Sequence, residues 1–280
     1  MTRIICIDSG NIQHIAMFAY LGQWEGLSKE YAEEHKVGID TARDIILGKA
    51  NNREIFLSNP TLTYMRMVIG YLKRLNSTSD DKIIIAQDYG SWRKEIDKNY
   101  KAQRKEFREG FAPNTWWTAR YEEFNLFYKK LNDAVPWQFI KIYNIEADDI
   151  ASFVVRNNKE SEVILISRDK DWHMLLTFSN VKIFNPQTKK FVEEKNPMKV
   201  LIDKIQGDIS DNLLEKPKNE KEFEIRKKIV NLLELPEHID LIIKNEVDRL
   251  VPKSLRLEKV PYNSVREQLK LLYYKDENET

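Results

Sequence analysis

Residues 163–171 read VILISRDKD: four apolar, mostly β-branched residues, then a polar break carrying Asp169 and Asp171. An apolar run of this length, without polar alternation, predicts a strand buried on both faces of a parallel sheet. The same pattern recurs upstream. Ile4 to Ile7 runs into Asp8, Ile83 to Ala86 runs through Gln87 into Asp88, and Phe139 to Ile145 runs into Glu146, Asp148 and Asp149 in the string IEADDI. Between these runs lie stretches with helical spacing, such as Leu62 to Leu75 and Tyr121 to Leu131. Strands alternating with helices predict βαβ units, right-handed crossovers and a three-layer α/β sandwich around a mainly parallel sheet.

In an open parallel sheet the carboxyl ends of the strands share one edge, and ligands bind there. Four strand ends then bring Asp8, Asp88, Glu146, Asp148, Asp149, Asp169 and Asp171 to one region. A lone acid after a strand is an ordinary helix cap, and acids in a first helical turn complement the helix dipole. Four such sites on one edge are different, because crowded carboxylates repel and raise each other's pKa unless a cation neutralises them. Hard oxygen donors suit Mg²⁺, with Mn²⁺ as a substitute. Seven of them exceed the needs of one ion, so the expectation is a two-metal phosphodiester site. Asp208 and Asp211, in IQGDISDN, belong to a Gly-Asp-x-x-Asp turn that is unspecific alone and gains value by completing the cluster from the other side.

The 280 residues carry a net charge of +1, 42% hydrophobic and 32% charged side chains, which describes an ordinary globular chain. The single cysteine, Cys6, lies in the first apolar run and reads as a small buried hydrophobe, so no internal disulfide is expected. No apolar run long enough to cross a membrane and no signal-peptide pattern occur, which leads to the expectation of a cytoplasmic protein, in the host cytoplasm if phage-encoded. Asn180 to Val192 reads as a short β segment closing the sheet. Beyond Pro197 the chain reads as helical, over Lys221 to Leu233, Pro236 to Val247 and Ser264 to Tyr274, with a frayed tail over 275–280. The expected division is a catalytic domain over 1–195 and a helical lobe over 196–280.

Charge is uneven locally: Trp92 to Arg108 holds seven basic residues against three acidic ones. The longer insertion over 89–117 interleaves Trp92, Tyr100, Phe107, Trp116 and Trp117 with Arg93, Lys94, Lys98, Lys101, Arg104, Lys105 and Arg108. Aromatics among cations suit stacking on unpaired bases while phosphates are held, and the insertion is long for an ordinary connection. A lid or arch over about 89–118 is the functional reading, and an amphipathic surface helix with solvated charges is the plain one.

The strings CIDSGNI, QDYGSWRKEIDKNYKAQRK, NIEADDIA, LISRDKDWHMLL, NVKIFNPQTKKFV and IQGDISDN, in that order over residues 3–212, resemble the 5′-nuclease family of flap endonucleases and 5′–3′ exonucleases, and within it the RNase H branch of T-even phages. The resemblance implies a PIN-like α/β core with a helical arch and a helical C-terminal DNA-binding lobe. It implies that Asp88, Glu146, Asp148, Asp149 and Asp169 hold a first metal ion, that Asp171, Asp208 and Asp211 surround a second, and that Asp8 is the N-terminal site carboxylate. By the same resemblance Arg93, Lys101 and Arg104 steer the scissile phosphate, with Tyr100 beside them as a stacking platform, and the aromatic–basic pattern adds Trp92 and Lys105 to the expected nucleic-acid contacts. The implied substrates are DNA with 5′ flaps or ends and RNA paired to DNA, cut to leave 5′-phosphate and 3′-hydroxyl. Replication partners such as a single-stranded-DNA-binding protein or a sliding clamp are compatible with this, and a monomer is the simpler state.

Two departures stand out. Lys170 separates Asp169 and Asp171 where many relatives have glycine, so it either points outward or weakens metal binding. The segment after Asn212 lacks the Gly-x-Gly hairpin that grips duplex phosphates, which leaves Lys216, Lys218, Lys221, Arg226, Lys227 and Lys228 for that task or as a solvated helix face. The rival readings are a PIN-type endoribonuclease, a catalytically inactive junction-binding protein, and a phosphotransfer receiver domain that leaves the basic insertion unexplained.

Overall fold

The computed structural model describes residues 3–51, 59–112 and 114–274, without the side chains of Asn51 and Lys105. The tail expected to fray, 275–280, lies outside the described residues. Six strands form one sheet: β1 (Arg3–Asp8), β2 (Lys82–Gln87), β3 (Gln138–Lys141), β4 (Glu162–Ile166), β5 (Val181–Asn185) and β6 (Lys190–Phe191), in the order β3-β2-β1-β4-β5-β6. All neighbours pair in parallel except β5 and β6, which form an antiparallel hairpin. The chain therefore grows outward from β1 in one direction, then restarts on its other side at β4. A crevice opens at such a reversal, outside the carboxyl ends of β1 and β4.

Successive side chains of a strand point to opposite faces. Ile4, Cys6, Ile84, Ala86, Val163 and Leu165 join one buried cluster, while Ile5, Ile7, Ile83, Ile85, Ile164 and Ile166 join the other. Two-sided burial is thus why these strands show no alternation in sequence. Among the described residues the helices are α1 (Ser9–His35), α2 (Ile39–Asn51), α3 (Pro60–Arg74), α4 (Arg93–Ile96), α5 (Arg104–Glu109), α6 (Asn114–Asn132), α7 (Ala147–Asn157), α8 (Pro197–Gln206), α9 (Glu220–Val230), α10 (Glu237–Asp248) and α11 (Asn263–Tyr273). Residues of α1, α3, α6 and α11 share one cluster, and residues of α7 to α10 share the other. Segments on both sides of residue 195 therefore contribute to both faces.

Local sequence explains several helix starts. Asn59 precedes Pro60 and its side chain accepts from Leu62 N–H at 3.0 Å, and Asn196 precedes Pro197 and accepts from Lys199 N–H at 3.2 Å. Both follow the rule of a short polar cap before a proline whose missing N–H costs the helix nothing. The third apolar run differs from its expectation. β3 stops at Lys141, and the chain turns through Asn144, whose φ is 64°, before Tyr89 and Ile145 pair through an N–H···O bond of 3.0 Å. Ile142 and Ile145 are apolar because they are buried beneath this turn, not because they belong to a strand. None of the described helices is long and apolar enough to cross a membrane.

Candidate metal centre and nucleic-acid interface

The crevice between β1 and β4 opens among carboxylates. Asp8 caps α1, accepting from Asn11 N–H at 3.0 Å, and its other oxygen accepts from Ser167 Oγ at 2.7 Å, just past β4. Asp88 accepts from Ala147 N–H at 2.8 Å, so the first amide of α7 points at the carboxylate that follows β2. Asp148, one residue further along that helix, accepts from Trp172 Nε1 at 2.7 Å. Gly10 makes this closeness possible, since a Cβ there would lie 2.8 Å from Asp88 Oδ2.

These acids perturb one another. Burial, then Asp88 and Asp148, pushes the Asp8 carboxyl well above its ordinary range. Burial and Asp148 raise Asp88 to about 6, and the same two causes raise Asp169. Burial also opposes the charge on Asp148, yet Lys101 and the Trp172 hydrogen bond hold its carboxyl below the ordinary value. Such mutual elevation marks carboxylates gathered for a cation and short of countercharge.

Nearby, Asp171, Asp208 and Asp211 each offer one oxygen lying within 4.8 Å of the others, the only such acidic triad among the described residues. Asp171 follows β4, while Asp208 and Asp211 belong to the turn after α8, closed by Asp208 N–H to Leu213 O at 2.8 Å and Leu213 N–H to Asp208 O at 2.7 Å. Ser210 fixes Asp208 Oδ1 through its N–H at 2.7 Å and its hydroxyl at 2.6 Å. Into the triad reaches Lys204, which bonds Asp171 and stands 2.9 Å from Asp208 and 3.0 Å from Asp211. Burial and Asp169 push Asp171 up to about 7, against the pull of Lys204. All-oxygen donors of this kind, anchored on two separate elements, fit a hard divalent cation.

The basic segment divides in two. Its first half is a buried anchor, which corrects the expectation that Trp92, Arg93 and Tyr100 face a nucleic acid. Arg93 is 1% exposed and each of its three guanidinium nitrogens donates: Nη1 to Glu146 at 2.9 Å, Nη2 to Asp149 at 2.7 Å, and Nε to Ile229 O at 2.6 Å. Trp92 Nε1 donates to Asp149 at 3.2 Å, and Tyr100 OH donates to Glu146 at 3.2 Å. Both rings lie in the hydrophobic cluster beneath the sheet edge. Asp149 also accepts from Glu146 N–H at 3.0 Å, which makes it a cap of α7. Its oxygens thus serve the guanidinium, the indole and its own helix, and Glu146 adds Ser91 Oγ at 3.0 Å. The geometry therefore gives Glu146 and Asp149 protein partners where the family resemblance implied metal.

Lys101 and Arg104 do border the acids. Lys101, in left-handed backbone at φ 56°, places Nζ 2.6 Å from Glu146, 3.9 Å from Asp148 and 4.0 Å from Asp211. Arg104 is 45% exposed and lies 3.4 Å from Asp211. It borders two clefts, a ≈ 560 Å³ one with Asp169, Asp171, Lys204 and Asp208, and a ≈ 400 Å³ one with Asp88, Glu146, His14 and Arg108. Gln103 Nε2 donates to Ile209 O at 2.6 Å, so the insertion rests on the Gly-Asp-x-x-Asp turn. The Lys105 side chain is outside the described residues. Lys170 is exposed at the rim of the larger cleft.

The C-terminal cations are mixed. Lys216 is exposed, Lys218 pairs with Glu215 at 3.2 Å and Lys227 with Glu224 at 3.9 Å. Arg226 is committed to the Glu215 carbonyl and, at 3.4 Å, to that of Ile205. Several site residues escaped the sequence reading: Gly10, Ser167, Trp172 and Lys204. Lys204 had a usable signal, since it sits one helical turn before Asp208, where side chains four apart meet.

A mainly parallel sheet reversing at β1, with a carboxylate-lined crevice and a basic insertion resting on it, defines an α/β architecture with an acidic site at one sheet edge. The family model described as the 5′-3′ exonuclease, N-terminal resolvase-like domain, matches residues 49–203, more than half of the chain, and the chain belongs to that family. It is similar to ribonuclease H of Enterobacteria phage T4, 29% identical over 151 residues that make up 51% of this chain and 48% of that protein. The chain thus spans about half the length of the curated relative it matches. Among solved structures, the phage T5 D15 protein co-crystallized with metal ions superposes with a TM-score of 0.51 at 16% identity, covering 96% of this chain and 88% of that one. The phage T5 D15 flap endonuclease in a complex with DNA and metal ions gives the same values. At this identity the likeness extends to the fold, an α/β core of PIN-like type.

Proposed function

We propose that this chain is a Mg²⁺-dependent 5′-nuclease, acting on 5′ ends and flaps of DNA and on RNA paired to DNA, with Mn²⁺ able to replace Mg²⁺. The observation that carries the reading is the Asp171–Asp208–Asp211 triad beside the raised Asp8, Asp88 and Asp169 at one sheet edge. The triad offers oxygens to one ion, and Asp88, Asp148 and Asp169 offer them to another, with Asp8 behind. When bound, the ions polarise the scissile phosphate and lower the pKa of the attacking water. The names of the relatives, a ribonuclease H and a flap endonuclease bound to DNA and metal ions, support the substrate class.

The chain's own groups supply the rest. Arg104, exposed between the two clefts, holds the backbone phosphate, and Lys101 turns from Glu146 towards charge developing on the phosphoryl oxygens. Ser167 and Asn11 orient Asp8. Trp92, Arg93 and Tyr100 lock the base of the insertion, so that its outer half, carrying the exposed Phe107 and Phe111, stacks on unpaired bases. The product is a 5′-phosphate and a 3′-hydroxyl. The setting is the cytoplasm, of the host cell if the chain is phage-encoded, and a single-stranded-DNA-binding protein or a sliding clamp suits such a nuclease as partner. A 5′-labelled flap, an RNA–DNA hybrid and single-stranded RNA, each incubated with Mg²⁺ and with EDTA, test this. Metal-dependent release of short 5′ fragments from the first two is expected. Cleavage of single-stranded RNA alone would point to an endoribonuclease.

A further inference from the structure

Lys204 brings a positive charge into the middle of the acidic triad, and nothing in the proposed chemistry uses it. Its side chain is 8% exposed and meets all three carboxylates, Asp208 at 2.9 Å and Asp211 at 3.0 Å among them. Those carboxylates face one another closely enough to share a single cation. An ammonium is a compact point charge on a flexible four-carbon stem, which lets it leave such a position without moving the backbone. Glu194 and Asp203 line the same cleft, the first 3.6 Å from His173 and the second paired with Lys199, so the displaced ammonium still has carboxylates beside it to share.

We propose that Lys204 is a tethered counter-ion: it holds the Asp171–Asp208–Asp211 site together before metal arrives and must swing aside for a divalent ion to enter, so that it sets the metal affinity of this site. The proposal rests on the metal-centre reading given above. Without a cation the triad would splay through like-charge repulsion, and with Lys204 in place it is preorganised but occupied. The lysine acts as an intramolecular competitor. If it fills the site nine-tenths of the time, apparent metal affinity is reduced ~10-fold, the ordinary cost of a binding-competent state populated at one part in ten. The arrangement restrains the enzyme at low metal concentration and protects the acidic turn from disorder. Lys101 stands differently, because it holds Glu146 closely and the other two acids only loosely.

The test is Mn²⁺ binding followed by electron paramagnetic resonance of the free ion, on the full chain, with thermal unfolding measured with and without Mn²⁺. Lys204→Met and Lys204→Gln should bind one ion ~10-fold more tightly than wild type. Both should also melt lower in EDTA and gain more from Mn²⁺ than wild type does. Lys204→Arg should shift the same ion's affinity the other way, because a guanidinium pairs bidentately with carboxylates and leaves less readily. This variant keeps the site neutralised, so it tests the idea even if the uncharged variants unfold. Unchanged or weaker binding in Lys204→Met and Lys204→Gln, or unchanged binding in Lys204→Arg, overturns the competitor role while leaving the metal centre standing. No Mn²⁺ binding by wild type or by any variant overturns the metal centre itself, and the proposal with it.

Discussion

Two groups of carboxylates sit within one crevice and are neutralised in opposite ways. The inner group, Glu146 and Asp149, is held by Arg93, whose planar fork is itself pinned to the carbonyl of Ile229 in α9. The outer group, Asp171, Asp208 and Asp211, has the ammonium of Lys204 at its centre, among the described residues the one cation that meets all three, while Arg104 touches Asp211 from outside at 3.4 Å. A guanidinium in a bidentate, fully buried pair does not exchange, and breaking such a pair strands a charge. An ammonium on a flexible stem at the edge of an open cleft can be replaced by a stronger cation. Carboxylates in one crevice therefore take different duties, one group fixing the insertion to the core and the other, in the proposed function, presenting oxygens to a metal. The countercharge, not the carboxylate, separates them.

Breaking the outer group should give the largest effect on activity. Asp171→Asn removes a ligand from the triad, and flap cleavage should fall by more than ~10³-fold, equivalent to several kcal/mol of lost transition-state stabilisation, with substrate binding retained in a gel-shift assay. Turnover above about a tenth of wild type would remove Asp171 from the site. Breaking the inner group should act on stability. Arg93→Met leaves Asp149 buried without its cation and Glu146 with Lys101 alone, and urea unfolding should show a loss of about 3–5 kcal/mol. A loss under about 1 kcal/mol would mean that the inner pair is not the structural anchor described.

How much of this division could be read from the chain alone follows from the range of the contacts. The strands were legible because burial on both faces leaves continuous apolar runs, and the strand-end acids followed from the runs. Ile142 and Ile145 misled for the same reason, since a buried turn uses apolar residues as a strand does. The partners of each acid were not legible. Arg93 meets residues far along the chain, Glu146, Asp149 and Ile229, and its composition-level signature, a cation among aromatics, is the same for a buried anchor as for an exposed phosphate clamp. Lys204 and Asp208 are one helical turn apart, but Asp171 reaches Lys204 only through the fold. The seven clustered carboxylates pointed to a cation without revealing that two of them already have one.

Two smaller effects sharpen the contrast. Lys101→Ala should slow the chemical step by about 10²-fold, the scale of one lost transition-state donor, with little change in stability; a rate within a factor of about three of wild type would confine Lys101 to pairing with Glu146. His14, which lies across the smaller cleft and bonds the Tyr121 hydroxyl at 2.8 Å, has its pKa lowered from 6.5 to about 4 by burial and by Arg108. The unfolded chain takes up this proton first, so the His14 contribution is complete above about pH 6.5 and is lost as pH falls towards about 4. After allowance for its partial exposure, His14→Gln should flatten the acid limb of the stability profile by about 1–2 kcal/mol relative to wild type, and parallel profiles would contradict this.

The most direct measurement is an anomalous difference map from crystals of the full chain grown with Mn²⁺. A peak is expected among Asp171, Asp208 and Asp211, with Lys204 turned out of the triad, and none between Arg93, Glu146 and Asp149. A map with Lys204 still seated and no peak in the triad, or a peak at the inner pair, would contradict this assignment.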